Sequence, residues 1–315
     1  MGSGSLSARI AVVGTGVIGA SWAAYFLAKG FDVAATDPAD GAERRLRTLV
    51  DGFWPALERV GLAEGASQSR LRFDPDIRRA IEDSAFVQEN CPERVDVKRD
   101  LLAKISAAVP SDSLIATSSS GILISDIQDA AVYPERVVLG HPFNPPHLMP
   151  LVEVVGVRLT SEDAIKKALA FYGAIGKKPI HIRREVKGHV ANRLQAALWR
   201  EAFYLVEQGI ASVEDVDTAI AHGPGLRWAL LGPFLNMHLS GGVGGIAHVL
   251  EHLGQPMESW WRDLGHVTLN EELNRTIARG VTEELGGVDL AHLTSQRDKL
   301  LLTLLQLKAG ADRLP

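Results

Sequence analysis

His141 and Glu153 bracket the stretch HPFNPPHLMPLVEV, which places four prolines and a second histidine between an imidazole and a carboxylate. An imidazole titrates near neutrality, and a carboxylate bonded to one ring nitrogen fixes its tautomer and raises the basicity of the other. That pairing suits a general base. The two residues are twelve apart, so no single helix or strand brings them together. Pro142, Pro145, Pro146 and Pro150 fix φ and remove backbone donors, which predicts a turn that folds the chain back on itself. Two neighbouring strands joined by this turn would set the carboxylate against the imidazole. The plainer alternative is a satisfied core histidine beside a glutamate that caps a loop.

A second constellation lies near the start, in RIAVVGTGVIGASWAAYFLAKGFDVAATDP. The apolar run Ile10 to Val13 predicts a strand, and Gly14, Gly16 and Gly19 follow it at once in G-x-G-x-x-G spacing. Ile18, Trp22, Phe26 and Leu27 then recur at helical spacing, and Gly30 is a natural helix stop. FDVAATD predicts a second strand with Asp37 at its end. The first glycine permits a tight turn, the second lets the backbone approach a pyrophosphate, and the third lets helix and strand pack closely. The helix N-terminus, at Val17 and Ile18, would face the phosphates. Asp37 would accept hydrogen bonds from the adenosine ribose and repel a 2′-phosphate, which favours NAD over NADP. A tight turn without nucleotide is the alternative, but strand, helix, second strand and acid are all in register.

The elements that must position these residues alternate. GAERRLRTLVDGFWPALERVG predicts a long charged helix, broken or ended near Pro55. SAFVQENCPE holds a short strand, VDVKRDLLAKISAAV an amphipathic helix, and SLIATSSS and RVVLGHP two further strands that end in polar residues. This repetition predicts an α/β fold, a mostly parallel sheet of Rossmann type with ligands at the carboxyl ends of its strands. From about Lys187 the pattern turns helical: GHVANRLQAALWREAFYLVEQG reads as one long helix, and Ser212 is a good N-cap for the next. The expected domains are a dinucleotide-binding half, residues 8–186, and an all-α half, residues 187–315. Trp199, Trp228, Trp260 and Trp261 are expected mostly in core or interface packing.

Composition sets the class. A length of 315 residues suits two domains, and a net charge of −5 asks for neither nucleic acid nor an anionic membrane as partner. The single cysteine, Cys91, cannot form an internal disulfide and is read as a small buried side chain. No apolar run is long enough to span a bilayer. MGSGSLS lacks the charged region and apolar core of a signal peptide and reads as an expression scar or a flexible start. The default is a cytoplasmic enzyme or binding protein.

The chain resembles the 3-hydroxyacyl-CoA dehydrogenase superfamily over nearly its whole length. It is most similar to the small-substrate branch that contains L-carnitine 3-dehydrogenase and lambda-crystallin (L-gulonate 3-dehydrogenase). VVGTGVIGASWAAYFLAKGFDVAATD, SSSG, GHPFNPPHLMPLVEVV, KGHVANRL and GPGLRWALLGPFLNMHL carry the resemblance. It implies His141 as general base and Glu153 as its orienter. It implies Ser120 as a substrate-binding serine and Asn192 as the hydrogen-bond donor to the reacting oxygen. Glu93 and Lys98 match positions lining the nicotinamide ribose region. Where acyl-CoA members read SNTSS this chain reads ATSSSG, so the serine is kept and the preceding asparagine is not. The implied reaction is oxidation of a hydroxyl β to a carboxylate by NAD, without a metal, in a homodimer formed through the helical half.

Substrate choice rests on less. In GPGLRWALLGP, between glycine-rich turns, Arg227 could pair a carboxylate bidentately and the Trp228 indole could hold a quaternary ammonium. Those two groups together suit carnitine. The glycine-rich SGGVGG, a mobile-loop candidate, resembles carnitine-type enzymes. An acyl-CoA substrate would need a basic surface, for which Arg44, Arg45 and Arg47 supply some charge, although a charge run on a helix is usually a solvated face. HVLEH fits the H-x-x-E-H spacing of certain zinc proteases, without an evident third ligand. A non-catalytic role, as for lambda-crystallin in the lens, leaves the joint presence of Ser120, His141, Glu153 and Asn192 unexplained.

Overall fold

The computed structural model of the chain describes residues 9–311; MGSGSLS lies outside the described residues. The chain divides into two compact units, with the division between Arg193 and Leu194.

The first unit is built on an eight-stranded sheet. Its elements are β1 (Arg9–Val13), α1 (Val17–Ala28), β2 (Val33–Thr36), α2 (Ala42–Val60), β3 (Leu71–Phe73), α3 (Ile77–Ile81), β4 (Ser84–Glu89), α4 (Val95–Ala108), β5 (Leu114–Thr117), β6 (Val137–Pro142), β7 (Leu151–Val155), α5 (Glu162–Ala174) and β8 (Lys178–Ile182). Strand order is β3-β2-β1-β4-β5-β6-β7-β8. Every neighbouring pair is parallel except β6 with β7. The order reverses direction between β1 and β4, which is the crevice where open α/β sheets bind ligands.

β1 is apolar from Ile10 to Val13 because that stretch is covered on both faces. One face buries Trp22, Phe26, Phe31, Phe86 and Tyr172 with α1, α2 and α5; the other packs Val13, Val87, Leu102 and Ile105. α1 is buried from Gly19 to Ala28, so its apolar residues run all round the helix rather than along one stripe. Each fully buried large apolar side chain contributes ~1.5–3 kcal/mol, enough to hold the glycine turn rigidly above it.

α2 does not end near Pro55: it runs on to Val60. Pro55 removes the hydrogen bond to the Asp51 carbonyl, but both residues are exposed, so water takes that carbonyl while Leu46, Val50 and Leu57 remain on the core.

α6 (Ala191–Glu207) starts three residues later than the sequence pattern suggests. Gly188 and His189 both have positive φ, which delays the helix to Ala191. The second unit continues with α7 (Val213–His222), α8 (Pro224–Trp228), α9 (Pro233–Ser240), α10 (Gly245–Asp263), α11 (Glu271–Leu285) and α12 (Leu290–Gly310). Ser212 and Asp215 form a capping box at the start of α7. The GLRW segment, expected between turns, is the short helix α8, and SGGVGG is a tight turn between α9 and α10. Trp199, Trp228, Trp260 and Trp261 are all exposed, so none belongs to the core of this chain. Among the described residues no helix is long and apolar enough to cross a membrane.

Candidate active site

β6 and β7 run antiparallel in a register that sets His141 directly opposite Glu153. Residues opposed across an antiparallel pair share a face, so their side chains meet. His141 Nδ1 lies 2.9 Å from Glu153 Oε2, and both side chains are buried. Oε1 of the same carboxylate accepts the N–H groups of Val190 and Ala191, each at 2.9 Å, at the start of α6. Burial alone would raise the Glu153 pKa. The hydrogen bonds from His141, Ala191 and Val190 outweigh it and hold the group below the usual carboxylate range. An ionised carboxylate only accepts, so Nδ1 carries the ring proton and Nε2 presents a lone pair.

The proline-rich stretch holds this pair in place through its own anchors. The Asn144–Pro145 bond is cis. The Lys177 ammonium donates to the Pro146 and Met149 carbonyls from beneath and lies over the Tyr25 ring. His147 Nδ1 lies 2.8 Å from the Ser21 hydroxyl oxygen, its backbone N–H donates to that same oxygen, and its ring stacks on Phe53. The second histidine of the stretch is thus an anchor to α1.

Glu93 organises the serine loop after β5. Its Oε1 accepts the Ser119 hydroxyl and the N–H groups of Ser120, Gly121 and Ile122. Burial would raise its pKa, but these donors and the Lys98 charge outweigh that and hold it low. Ser120 is left exposed, and its hydroxyl has no hydrogen-bond partner among the described residues. Asn192, the second residue of α6, is half-buried, and its amide likewise has none. Lys98 is only 1% exposed, and its ammonium donates to both Glu89 oxygens and to the Cys91 carbonyl. It therefore stands behind Glu93, 3.7 Å from it, and any contact with a ligand must compete with Glu89.

The glycine turn fits a dinucleotide. A Cβ on Gly14 would press to 2.9 Å against the Asn90 backbone, and one on Gly19 would collide with the Gly14 carbonyl. At Gly16 nothing lies within 4 Å, so the backbone there is open to a ligand. No side chain caps α1, which leaves its first N–H groups, at Val17 and Ile18, free for phosphate. Asp37 directly follows β2, held by Thr15 and the Ala39 N–H. A cavity of about 730 Å³ opens here, lined by Gly14, Gly16, Asp37, Pro38, Asn90 and Cys91. Cys91 is thus half-buried on a cavity wall, and burial with the Glu89 charge pushes its thiol up to about 12.

Arg227 and Trp228 are exposed on α8 in the second unit. His248, Glu251 and His252 lie together on the exposed face of α10 with ligand atoms within 4.8 Å of one another, so helical spacing supplies Glu251 as the third group. Glu89, the buried partner of Lys98, and His189 are not among the residues expected at the site from the sequence. An acid at a strand end in FVQEN and a histidine between Gly188 and Asn192 were the available signals.

The chain is similar to known proteins over most of its length. The family described as 3-hydroxyacyl-CoA dehydrogenase, NAD binding domain, matches residues 9–186. The family described as 3-hydroxyacyl-CoA dehydrogenase, C-terminal domain, matches residues 188–283. An L-carnitine dehydrogenase of Streptomyces griseus subsp. griseus is 49% identical over 98% of this chain and 91% of its own length. One from Bacillus cereus is 46% identical over 98% of this chain and 94% of its own. Among solved structures, an NAD+-dependent 5-formyl-3-hydroxy-2-methylpyridine 4-carboxylic acid 5-dehydrogenase superposes with TM-score 0.84 at 28% identity, covering 96% of this chain and 99% of that one. The 3-hydroxybutyryl-CoA dehydrogenase of Escherichia coli K12 gives TM-score 0.63 at 29% identity, over 79% of this chain and 52% of that one. Two family matches in tandem and relatives of near-equal length lead to one conclusion: this chain is an NAD-dependent dehydrogenase and belongs to the 3-hydroxyacyl-CoA dehydrogenase family.

Proposed function

We propose that the chain oxidises the secondary hydroxyl of L-carnitine to 3-dehydrocarnitine with NAD+. The observation that carries this reading is the identity of nearly one residue in two, along almost the full chain, with enzymes named L-carnitine dehydrogenase. The bound nicotinamide supplies the hydride acceptor. His141 Nε2 takes the hydroxyl proton, and Glu153 keeps the opposite nitrogen protonated and stabilises the imidazolium that forms. Ser120 and Asn192 hydrogen-bond the reacting oxygen and support its charge as the C–H bond breaks. Gly14, Gly16, Val17, Ile18, Gly19, Asp37, Glu93 and Lys98 serve the cofactor. Arg227 and Trp228 are assigned by residue chemistry to the substrate carboxylate and its quaternary ammonium.

In this reading residues 8–186 hold the dinucleotide, while residues 187–315 contribute substrate contacts and pair two subunits of a cytoplasmic homodimer. Large exposed apolar side chains in the helical half, including Leu194, Phe234, Leu239, Trp260 and Trp261, support the pairing. The test is a panel of L-carnitine, L-gulonate and a 3-hydroxyacyl-CoA, each with NAD+ and NADP+. Turnover of L-carnitine with NAD+, falling ~10²–10⁴-fold in His141→Gln while NAD+ binding persists, is the expected result. Oxidation of the thioester alone would refute the substrate, and near-normal turnover in His141→Gln would refute the base. Light scattering of the purified protein checks the dimer.

A further inference from the structure

His189 has none of the roles just assigned, yet three parts of the site converge on it. It follows Gly188, and the two have φ of 51° and 76° respectively. Among the described residues it is the single non-glycine residue with positive φ, a conformation disfavoured for any side chain with a Cβ. These two residues turn the chain into α6 so that Val190 and Ala191 direct their N–H groups onto Glu153. The residue is 2% exposed. Its Nε2 lies 3.3 Å from the Ser119 carbonyl oxygen, and because a carbonyl only accepts, the proton sits on Nε2. Nδ1 is then a buried lone pair without a hydrogen-bond partner. The ring centre is 5.0 Å from that of His141, at an interplanar angle of 49°. Packing alone would be met by phenylalanine, and a left-handed turn alone by glycine.

We infer that His189 is a positioning residue: its imidazole, held by the Ser119 carbonyl, ties the serine loop to the His141 ring and shields that ring from water, so that the proton taken from substrate stays on His141. This rests on the reading of His141 as the base. The charged and titratable groups around it are His141 on β6, Glu153 on β7 and Glu185 in the segment before α6. Burial, followed by repulsion from a charged His141, lowers the affinity of His189 for a proton; Ser119, Glu153 and Glu185 oppose this and are outweighed. Protonating the sealed Nδ1 would leave a buried donor with nothing to receive it.

Two experiments test this. In ¹⁵N NMR of the full-length histidine-labelled protein without substrate, the His189 signals are those lost in His189→Phe, or in His189→Asn if the first variant does not fold. They are expected to keep the neutral Nε2–H pattern down to about pH 5.5, where a free imidazole is mostly charged. An imidazolium pattern at or above that pH overturns the inference. In kinetics, His189→Gly keeps the turn but opens the flank of His141 to water, whereas His189→Phe keeps water out but loses the tie to Ser119. The glycine variant is expected to lose ~10-fold or more in kcat. The acid limb of its kcat profile should move to higher pH, because water stabilises the charged ring. The phenylalanine variant should lose rate with that limb in place, and the KM for NAD+ should hold in both. A glycine variant with wild-type kcat and profile would show that the turn alone matters. A wild-type protein inactive on L-carnitine would refute the proposed substrate and leave the NMR result standing.

Discussion

Replacing Glu153 by glutamine isolates what the carboxylate does. The native group satisfies three donors at once: His141 Nδ1–H and the N–H groups of Val190 and Ala191. A glutamine has one oxygen and one NH₂ to offer, so it has two orientations. With the oxygen towards the backbone, the NH₂ faces His141 and forces Nδ1 to accept, which moves the ring proton to Nε2 and removes the base. With the oxygen towards His141, two part-buried N–H groups face an NH₂ and lose their partners, at about 1–3 kcal/mol each. The inactive tautomer is therefore favoured by ~2–6 kcal/mol, and the active one falls to between roughly one part in thirty and one in twenty-five thousand. Steady-state NADH formation should show kcat reduced by a factor in that range, with NAD+ affinity unchanged by fluorescence titration and a folded circular dichroism spectrum. A kcat within about threefold of wild type would mean that the tautomer argument is wrong.

Asp37→Ala should raise the ratio of kcat/KM for NADP+ over NAD+ by ~10-fold or more, since it removes both the ribose acceptor and the charge that repels a 2′-phosphate; an unchanged ratio would place cofactor choice elsewhere. Lys177 is a further case, because burial and then the Lys29 charge lower its pKa from 10.5 to about 7. The folded state thus binds fewer protons than the unfolded chain between these values, so the penalty is full below pH 7 and is relieved as pH rises towards 10.5. Urea titrations should show wild type gaining up to a few kcal/mol on Lys177→Met across that window, and a flat difference would refute the burial argument. The Cys91 thiol, pushed up to about 12, should react with iodoacetamide at neutral pH about a hundredfold more slowly than a free thiol, its scarce thiolate being partly offset by higher nucleophilicity. NAD+ should slow it further, because Cys91 lines the cofactor cavity; modification at the free-thiol rate would contradict both points.

Sequence by itself determined the features that are local in the chain. Gly14, Gly16 and Gly19 follow an apolar strand and open a helix within a dozen residues, so the turn, the packing glycine and the phosphate-facing terminus are all legible from spacing. The same is true of the Ser212 cap and of the alternation that dictates a mostly parallel sheet. Local chemistry also misleads where context overrides it. Pro55 sits inside α2 because its lost bond faces water, and the four tryptophans expected in core or interface packing are exposed, which removes the core half of that expectation. Tertiary structure alone decided the rest of the site. The register of β6 against β7 puts His141 opposite Glu153, where a slip of one residue would send the two to opposite faces. Glu153 is an anion because α6 begins at Ala191, and α6 begins there because Gly188 and His189 are left-handed. Lys98 is turned inward by Glu89, nine residues away on another element. Spacing encodes what neighbours along the chain can do, but the charge of a buried group is set by donors that arrive from distant segments, and only folding brings them together.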